Sequence, residues 1–198
     1  MRSIKEIFRS YAEFSPEGRH INGTDKQSNH NYSDAYEQLF TCSYPEHPSI
    51  APWSIRPNVQ MMMEVGVADG ACLLAWREVF PNALIVGMDI HDSARAKGDR
   101  IEFHIGDQKS CDDCEKTANG RLFDVILEDA THKLEDSLRT FLYLWPFVKR
   151  GGLYIIEEFD NVGALRNNIR AMWPYAEIVD TTGPSGGCEP LVVFRKPK

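Results

Sequence analysis

Apolar runs and amphipathic stretches alternate along most of this 198-residue chain. VQMMMEV (59–65), ALIVGMD (83–89), LFDVILE (122–128) and GGLYIIEE (151–158) are short and nearly continuous apolar runs, and RIEFHIGD (100–107) reads as a further strand. That is the pattern of strands buried on both faces. Between them, ACLLAWREVF (71–80), SCDDCEKTANG (110–120) and LEDSLRTFLYLWPFVK (134–149) predict helices. Pro81 stops the first, Gly120 ends the second, and Pro146 sits near the end of the third. NVGALRNNIRAMW (161–173) predicts a further helix, and YAEIV (175–179) and PLVVFRK (190–196) predict two terminal strands joined by a TTGPSGG turn. No helix separates those two strands, so one of them runs antiparallel. The whole predicts an α/β fold: a mostly parallel, seven-stranded sheet with helices on both faces and an antiparallel C-terminal strand.

The first residues follow a different pattern. MRSIKEIFRSYAEF has apolar residues at 4, 7, 8, 11 and 14, which predicts an amphipathic helix and not a signal peptide. Residues 15–32 are polar and read as a loop, and SDAYEQLF (33–40) reads as a short helix capped by Ser33 or Asp34. Residues 41–58 contain four prolines and read as irregular. The division is therefore 1–58, N-terminal helices and a loop, and 59–198, the core, within a single compact domain. No apolar run reaches the ~20 residues that span a bilayer, so a cytoplasmic protein without membrane contact is expected. A net charge of −7 with scattered Lys and Arg argues against nucleic acid as a partner. Five cysteines at irregular spacing give no disulfide framework. Cys111 and Cys114 form one CxxC, but no second pair completes a zinc site, so an ordinary helix or loop is the preferred reading.

The candidate chemistry lies at the ends of the strands. EVGVADG (64–70) closes the first core strand with glycines that open a helix, yet no GKS or GKT follows and no full GxGxxG is present. A diphosphate cradle and NAD are thereby disfavoured. Asp89 closes the second strand and Asp107 the third. In an open α/β sheet ligands bind beyond the carboxyl ends of the strands, where Glu64, Asp89 and Asp107 would gather. Several carboxylates suit a ligand with positive charge and hydroxyls, such as S-adenosylmethionine (SAM). Asp129 and His132 follow the fourth strand, and Glu157 and Glu158 end the fifth. If those strands pair, the acids converge, and crowded carboxylates call for a cation. Oxygen ligands favour Mg²⁺ or Mn²⁺. His132, close to Asp129, is a candidate general base. Glu128 should point to the other side of its strand and is read as a solvated bystander.

Taken in order, EVGVADG, PNALIVGMDI, IGDQ, FDVILEDATH and PFVKRGGLYIIEEFD resemble class I SAM-dependent methyltransferases. They resemble more closely the metal-dependent sugar O-methyltransferases of the mycinamicin and demethylmacrocin type. NGTDKQSNHNYSDAYEQLF resembles a stretch upstream of the catalytic core in that group, and the likeness covers roughly residues 22–160. The resemblance implies a Rossmann-like fold and a cofactor site in which Glu64, Gly66 and Gly70 line the methionine part. Asp89 would hold the ribose, and Asp107 with Gln108 would border the adenine. It implies metal ligation by Asp129, Glu157 and Glu158, with His132 as base, and a lid over 22–32 carrying Asp25, Lys26, His30 and Tyr32. Two departures stand out: Glu157-Glu158 replaces the family's Glu-Asp, and there is little room for the family's additional N-terminal domain. The acceptor is then expected to be held differently, with a neighbouring subunit of a homo-oligomer as one means. The expected activity is methyl transfer from SAM to a hydroxyl of a sugar or glycoside. A catechol acceptor, a non-catalytic SAM or nucleoside binder and a cephalosporin-hydroxylase-like protein are the alternatives. The last is disfavoured because the chain offers no HxD…H facial triad.

Overall fold

The computed structural model describes residues 1–14, 16, 20–27, 32–42, 53–92, 97–157, 176–179 and 191–198. The predicted helix at 161–173, Glu158, His30 and Cys188 lie outside the described residues.

Seven strands form the central sheet: β5 (Met61–Val65), β6 (Leu84–Asp89), β7 (Ile101–Ile105), β8 (Phe123–Glu128), β9 (Val148–Ile156), β10 (Ala176–Val179) and β11 (Leu191–Arg195). Their spatial order is β10-β11-β9-β8-β5-β6-β7. The β7-β6-β5-β8-β9 block is parallel, and β11 runs antiparallel to both β9 and β10. The expected mostly parallel, seven-stranded sheet with an antiparallel C-terminal strand is therefore present. The order reverses between β5 and β8, and such a switch point opens a crevice above the carboxyl ends of the strands.

Helices α3 (Ala71–Val79), α4 (Cys111–Ala118) and α5 (Leu134–Leu144) follow β5, β7 and β8. Alternation along the strands sends Met62, Val125, Leu127 and Ile155 to one core, with α3 and the N-terminal helices. Met63, Ile126, Tyr154 and Ile156 go to a second core with Cys114 of α4 and Phe141 of α5. The CxxC is one turn of α4, with Cys114 buried and Cys111 exposed.

The N-terminal segment differs from its sequence-based expectation. Helix α1 (Ile4–Ser10) stops early, and Ala12–Phe14 (β1) pairs antiparallel with His20–Gly23 (β2) inside the expected loop. Gly23 turns the chain at φ +82°, and a Cβ there would lie 2.1 Å from the Tyr11 carbonyl oxygen, so only glycine fits. Helix α2 (Tyr32–Leu39) begins at Tyr32, which puts Ser33 and Asp34 in its first turn, beyond the expected cap position. A two-residue pairing, Thr41–Cys42 (β3) with Trp53–Ser54 (β4), and a 3₁₀ turn at Arg56–Asn58 occupy the proline-rich stretch. Trp76 of α3 anchors the segment: the rings of Phe8 and Tyr36 meet it edge-on at 4.9 Å, and Phe80 stacks at 5.6 Å.

Helix α5 ends at Leu144, five residues before its expected end, because Pro146 sits in a 3₁₀ turn over Trp145–Phe147. Strand β9 then starts at Val148, earlier than expected. Helix α4 ends on Asn119 in the left-handed region, with Gly120 one residue further on. Among the described residues no helix is long and apolar enough to cross a membrane.

Candidate cofactor and cation site

A cavity of about 500 Å³ opens above the carboxyl ends of β5, β6, β7 and β8. Its walls include Gly66, Asp89, Asp107, Gln108, Asp129 and His132. Gly23 to Lys26, from the N-terminal segment, close one side. The strand ends place these residues through backbone bonds that extend the ladder by one step. The Gly66 amide donates to the Met88 carbonyl at 2.8 Å, Asp129 to Val65 at 2.8 Å, and Glu157 to Glu128 at 2.9 Å.

Gly66 has a structural reason to be glycine. Its φ is +84°, and a Cβ would lie 2.2 Å from the Asp129 carbonyl oxygen. The close approach is to the chain's own β8 end, which fixes the first strand-turn against Asp129. Gly70 lies outside the cavity wall and starts α3 in the left-handed region, while the Asp69 carboxylate accepts from the Ala71 amide at 2.9 Å.

Asp89 braces the same turn: its Oδ2 accepts from the amides of Val67 at 2.9 Å and Ala68 at 3.0 Å, and its Oδ1 from His91 at 2.9 Å. Oδ1, which accepts a single bond, retains a further lone pair. The Asp107 Oδ1 accepts from the Lys109 amide at 2.9 Å. Gln108 is buried, and its amide nitrogen donates to the Thr131 hydroxyl at 3.1 Å, which donates in turn to Asp136 at 3.1 Å. The Gln108 side-chain oxygen, Oε1, has no hydrogen-bond donor among the described residues.

The acids on the β5, β8 and β9 ends form a tighter group. Glu64, Asp129 and Glu157 share the sheet face that bears the N-terminal helices, and all three converge on one atom, the Lys26 ammonium. Lys26 Nζ lies 2.7 Å from Asp129 Oδ2, 2.6 Å from Glu157 Oε2 and 3.3 Å from Glu64 Oε1. Lys26, Glu64 and Glu157 are at most 2% exposed. The Tyr36 hydroxyl donates to the other Glu157 oxygen. Glu64 lies beneath the cavity, outside its wall, beside the Cys72 thiol and the Trp76 indole N–H, which favour its charge. Burial works against the Lys26 charge, but Asp129, Glu157 and Glu64 outweigh it and hold its pKa well above the ordinary lysine range. Burial pushes the Glu157 carboxyl up, Lys26 opposes this, and Asp129 adds to it. Burial likewise raises Glu64. Three carboxylates around one ammonium leave negative charge in excess, which a proton or a second cation must meet.

His132, at φ +58°, turns its ring to the cavity with Nδ1 3.9 Å from Asp129 Oδ1. Glu128 faces the opposite side of the sheet, as its place in the strand requires, but it is not solvated. It is 1% exposed, and burial pushes its carboxyl up to about 7. The last turn of β8 is covered by α5 and Tyr154, which strand alternation alone does not reveal.

Lys26 and Tyr36 are the site residues that sequence reasoning left without a role in the acidic cluster. Lys26 was read only as part of a lid, and Tyr36 as a helix position. The signal available for Lys26 was a lone cation in a polar segment preceding a helix, which is weak.

The strand order, the antiparallel β11 and a cavity at the switch point together define a Rossmann-like class I methyltransferase fold. No family model matches the chain. The chain is similar to the solved MycE methyltransferase of the mycinamycin biosynthetic pathway, in complex with Mg, SAH and mycinamycin VI. The TM-score is 0.67 at 21% identity, over 100% of this chain and 54% of that one. In sequence it is 29% identical over 144 residues to the 8-demethyl-8-alpha-L-rhamnosyl tetracenomycin-C 2'-O-methyltransferase of Streptomyces olivaceus, covering 69% of this chain and 35% of that protein. It is 34% identical over 106 residues to the demethylmacrocin O-methyltransferase of Streptomyces fradiae, covering 49% of this chain and 27% of that protein. The chain is thus a class I methyltransferase-fold protein related to the macrolide and sugar O-methyltransferases. The match spans about a third or less of those two curated relatives.

Proposed function

We propose that the protein transfers the methyl group of SAM to a hydroxyl of a sugar or glycoside, at a site that holds Mg²⁺ or Mn²⁺. The observation that carries this reading is the meeting of Asp129 and Glu157 on a single cation position in the cavity wall, with the other Asp129 oxygen 3.9 Å from His132 Nδ1. A position where two carboxylate oxygens already enclose a positive charge has the donor chemistry a hard divalent ion needs. Glu158, next in sequence, is the third proposed ligand.

The cofactor residues fit the same reading. Asp89 would accept the ribose hydroxyls, and Asp107 with the unpartnered side-chain oxygen of Gln108 would border the adenine, whose amine is a donor. Gly66 would let the cofactor's methionine part approach the turn, with Gly70 setting the start of α3 behind it. Glu64 adds its charge to the cluster from below, 3.3 Å from Lys26 Nζ. SAM supplies the methyl group on a sulfonium that loses its charge on transfer, and a bound divalent ion lowers the pKa of a hydroxyl that it holds. His132 takes the hydroxyl proton, and Asp129 orients the imidazole and supports its positive charge. Tyr36 fixes the Glu157 carboxylate through its hydrogen bond. Much of the work left to the chain is holding the acceptor oxygen in line with the methyl group.

The domain reading is proposed in the same way: residues 1–58 are N-terminal helices and a lid-like loop, from which Gly23 to Lys26 wall the cavity, and 59–198 are the methyltransferase core of a single compact domain. Incubation with methyl-labelled SAM and a panel of rhamnosides, other deoxyglycosides and catechols tests the function. Label on a glycoside hydroxyl in Mg²⁺, lost in EDTA, is the expected result. Label on catechols alone, or on no acceptor despite SAM binding, would refute the sugar reading.

A further inference from the structure

Lys26 occupies the position that a divalent ion would need. Its ammonium bridges Asp129 Oδ2 and Glu157 Oε2 at 2.7 and 2.6 Å. The remaining oxygens are committed elsewhere: Glu157 Oε1 accepts from Tyr36, and Asp129 Oδ1 faces His132. An ion bridging the two carboxylates at about 2.0–2.1 Å from each oxygen would therefore sit almost on the Nζ atom. Two cations at that separation repel strongly in a buried site.

The lysine is held there from both ends of its segment. The Thr24 amide donates to the Tyr11 carbonyl at 3.2 Å, and the Lys26 carbonyl accepts from the Tyr32 amide at 2.8 Å. The backbone is thus pinned by the N-terminal hairpin and by the start of α2, while the side chain borders the cavity. The cavity gives the ammonium a space to enter.

We infer that Lys26 is a built-in counter-cation that holds Asp129 and Glu157 together in the metal-free protein and that a divalent ion must displace into the cavity in order to bind. The inference rests on the reading of Asp129 and Glu157 as cation ligands. Metal loading then carries an opposing term, the loss of three ion-pair contacts. It also changes the wall of the cavity, because the displaced ammonium enters the space beside the cofactor.

Two measurements test this. The first is Mn²⁺ binding, followed by electron paramagnetic resonance, for the wild-type chain and for Lys26→Gln, with circular dichroism confirming that the variant is folded. Lys26→Gln is expected to bind Mn²⁺ at least about tenfold more tightly. Equal or weaker binding by a folded variant, with the wild type binding, would overturn the competition and leave the metal reading standing. Failure of both to bind would overturn the metal reading and the inference with it. The second measurement needs no variant: reductive methylation of the wild-type lysines, read by mass spectrometry with and without Mn²⁺. Lys26, 2% exposed, should be protected without metal and labelled with it, while exposed Lys5 and Lys133 do not change. Unchanged protection of Lys26 under conditions where the resonance signal shows bound Mn²⁺ would overturn the displacement.

Discussion

Glu128 and Asp129 are consecutive, yet they end in two opposite kinds of buried acid site. Asp129 joins Glu64 and Glu157 on the face beneath the N-terminal helices, where Lys26 supplies a charge to all three. Glu128 enters the core between β8, β9 and α5. There the Ala130 amide donates to it at 3.3 Å, the Ser137 hydroxyl favours its charge, and among the described residues it has no ion pair. A buried carboxylate without a counter-charge lowers its cost by keeping its proton, whereas for Glu64 and Glu157 the Lys26 ammonium opposes the push of burial. The difference teaches that burial alone does not mark a functional acid. What separates the two is a cation position open to a cavity.

The contrast can be broken most severely at the charged group. Asp129→Asn and His132→Ala are each expected to lower methyl transfer by about a hundredfold or more while the protein stays folded. Loss for either variant of less than about threefold, measured as kcat/KM on the acceptor found in the panel, would remove that residue from the chemistry.

Lys26→Met comes next. It leaves buried Glu64 and Glu157 and the partly exposed Asp129 without their ammonium, at a cost of about 3–5 kcal/mol in EDTA. Thermal unfolding should show a large drop in Tm that Mg²⁺ partly restores. A drop no larger than that of Lys5→Met, an exposed position, would mean that the cluster does not depend on its counter-charge.

Glu128→Gln is the smaller and opposite effect. The folded protein binds the Glu128 proton more tightly than the unfolded chain, with the carboxyl raised from 4.5 to about 7. The stability this site contributes is complete below the lower value and is lost as pH rises through the upper one. Glu128→Gln should therefore leave Tm unchanged at about pH 4.5 and raise it by an increasing amount up to about pH 8, worth at most about 3 kcal/mol. A pH-independent change would show that Glu128 is not proton-bearing in the fold.

Much of this arrangement is legible in the chain. Period-two alternation puts Glu64, Asp129 and Glu157 on one side and Glu128 on the other, and apolar runs mark the strands that carry them. The partner of the acids is not legible in the same way. Lys26 lies 103 residues from Asp129 and 131 from Glu157, within a polar segment that has no periodicity to read. The same lack of pattern hides the hairpin of Ala12–Phe14 with His20–Gly23, whose strands are too short for alternation to register. The burial of Glu128 was missed because a strand shows which side a residue faces, and not what covers that side. Pro146 marks the end of α5 more sharply than the reading to 149 allows, since the helix stops at Leu144.

Anomalous diffraction from crystals grown with Mn²⁺ and S-adenosylhomocysteine tests the central claim most directly. The account predicts an anomalous peak between the carboxylates of Asp129 and Glu157, beside a nucleoside bound in the cavity, with the Lys26 ammonium moved away. A nucleoside in the cavity with Lys26 still bridging those two carboxylates and no peak between them would contradict it.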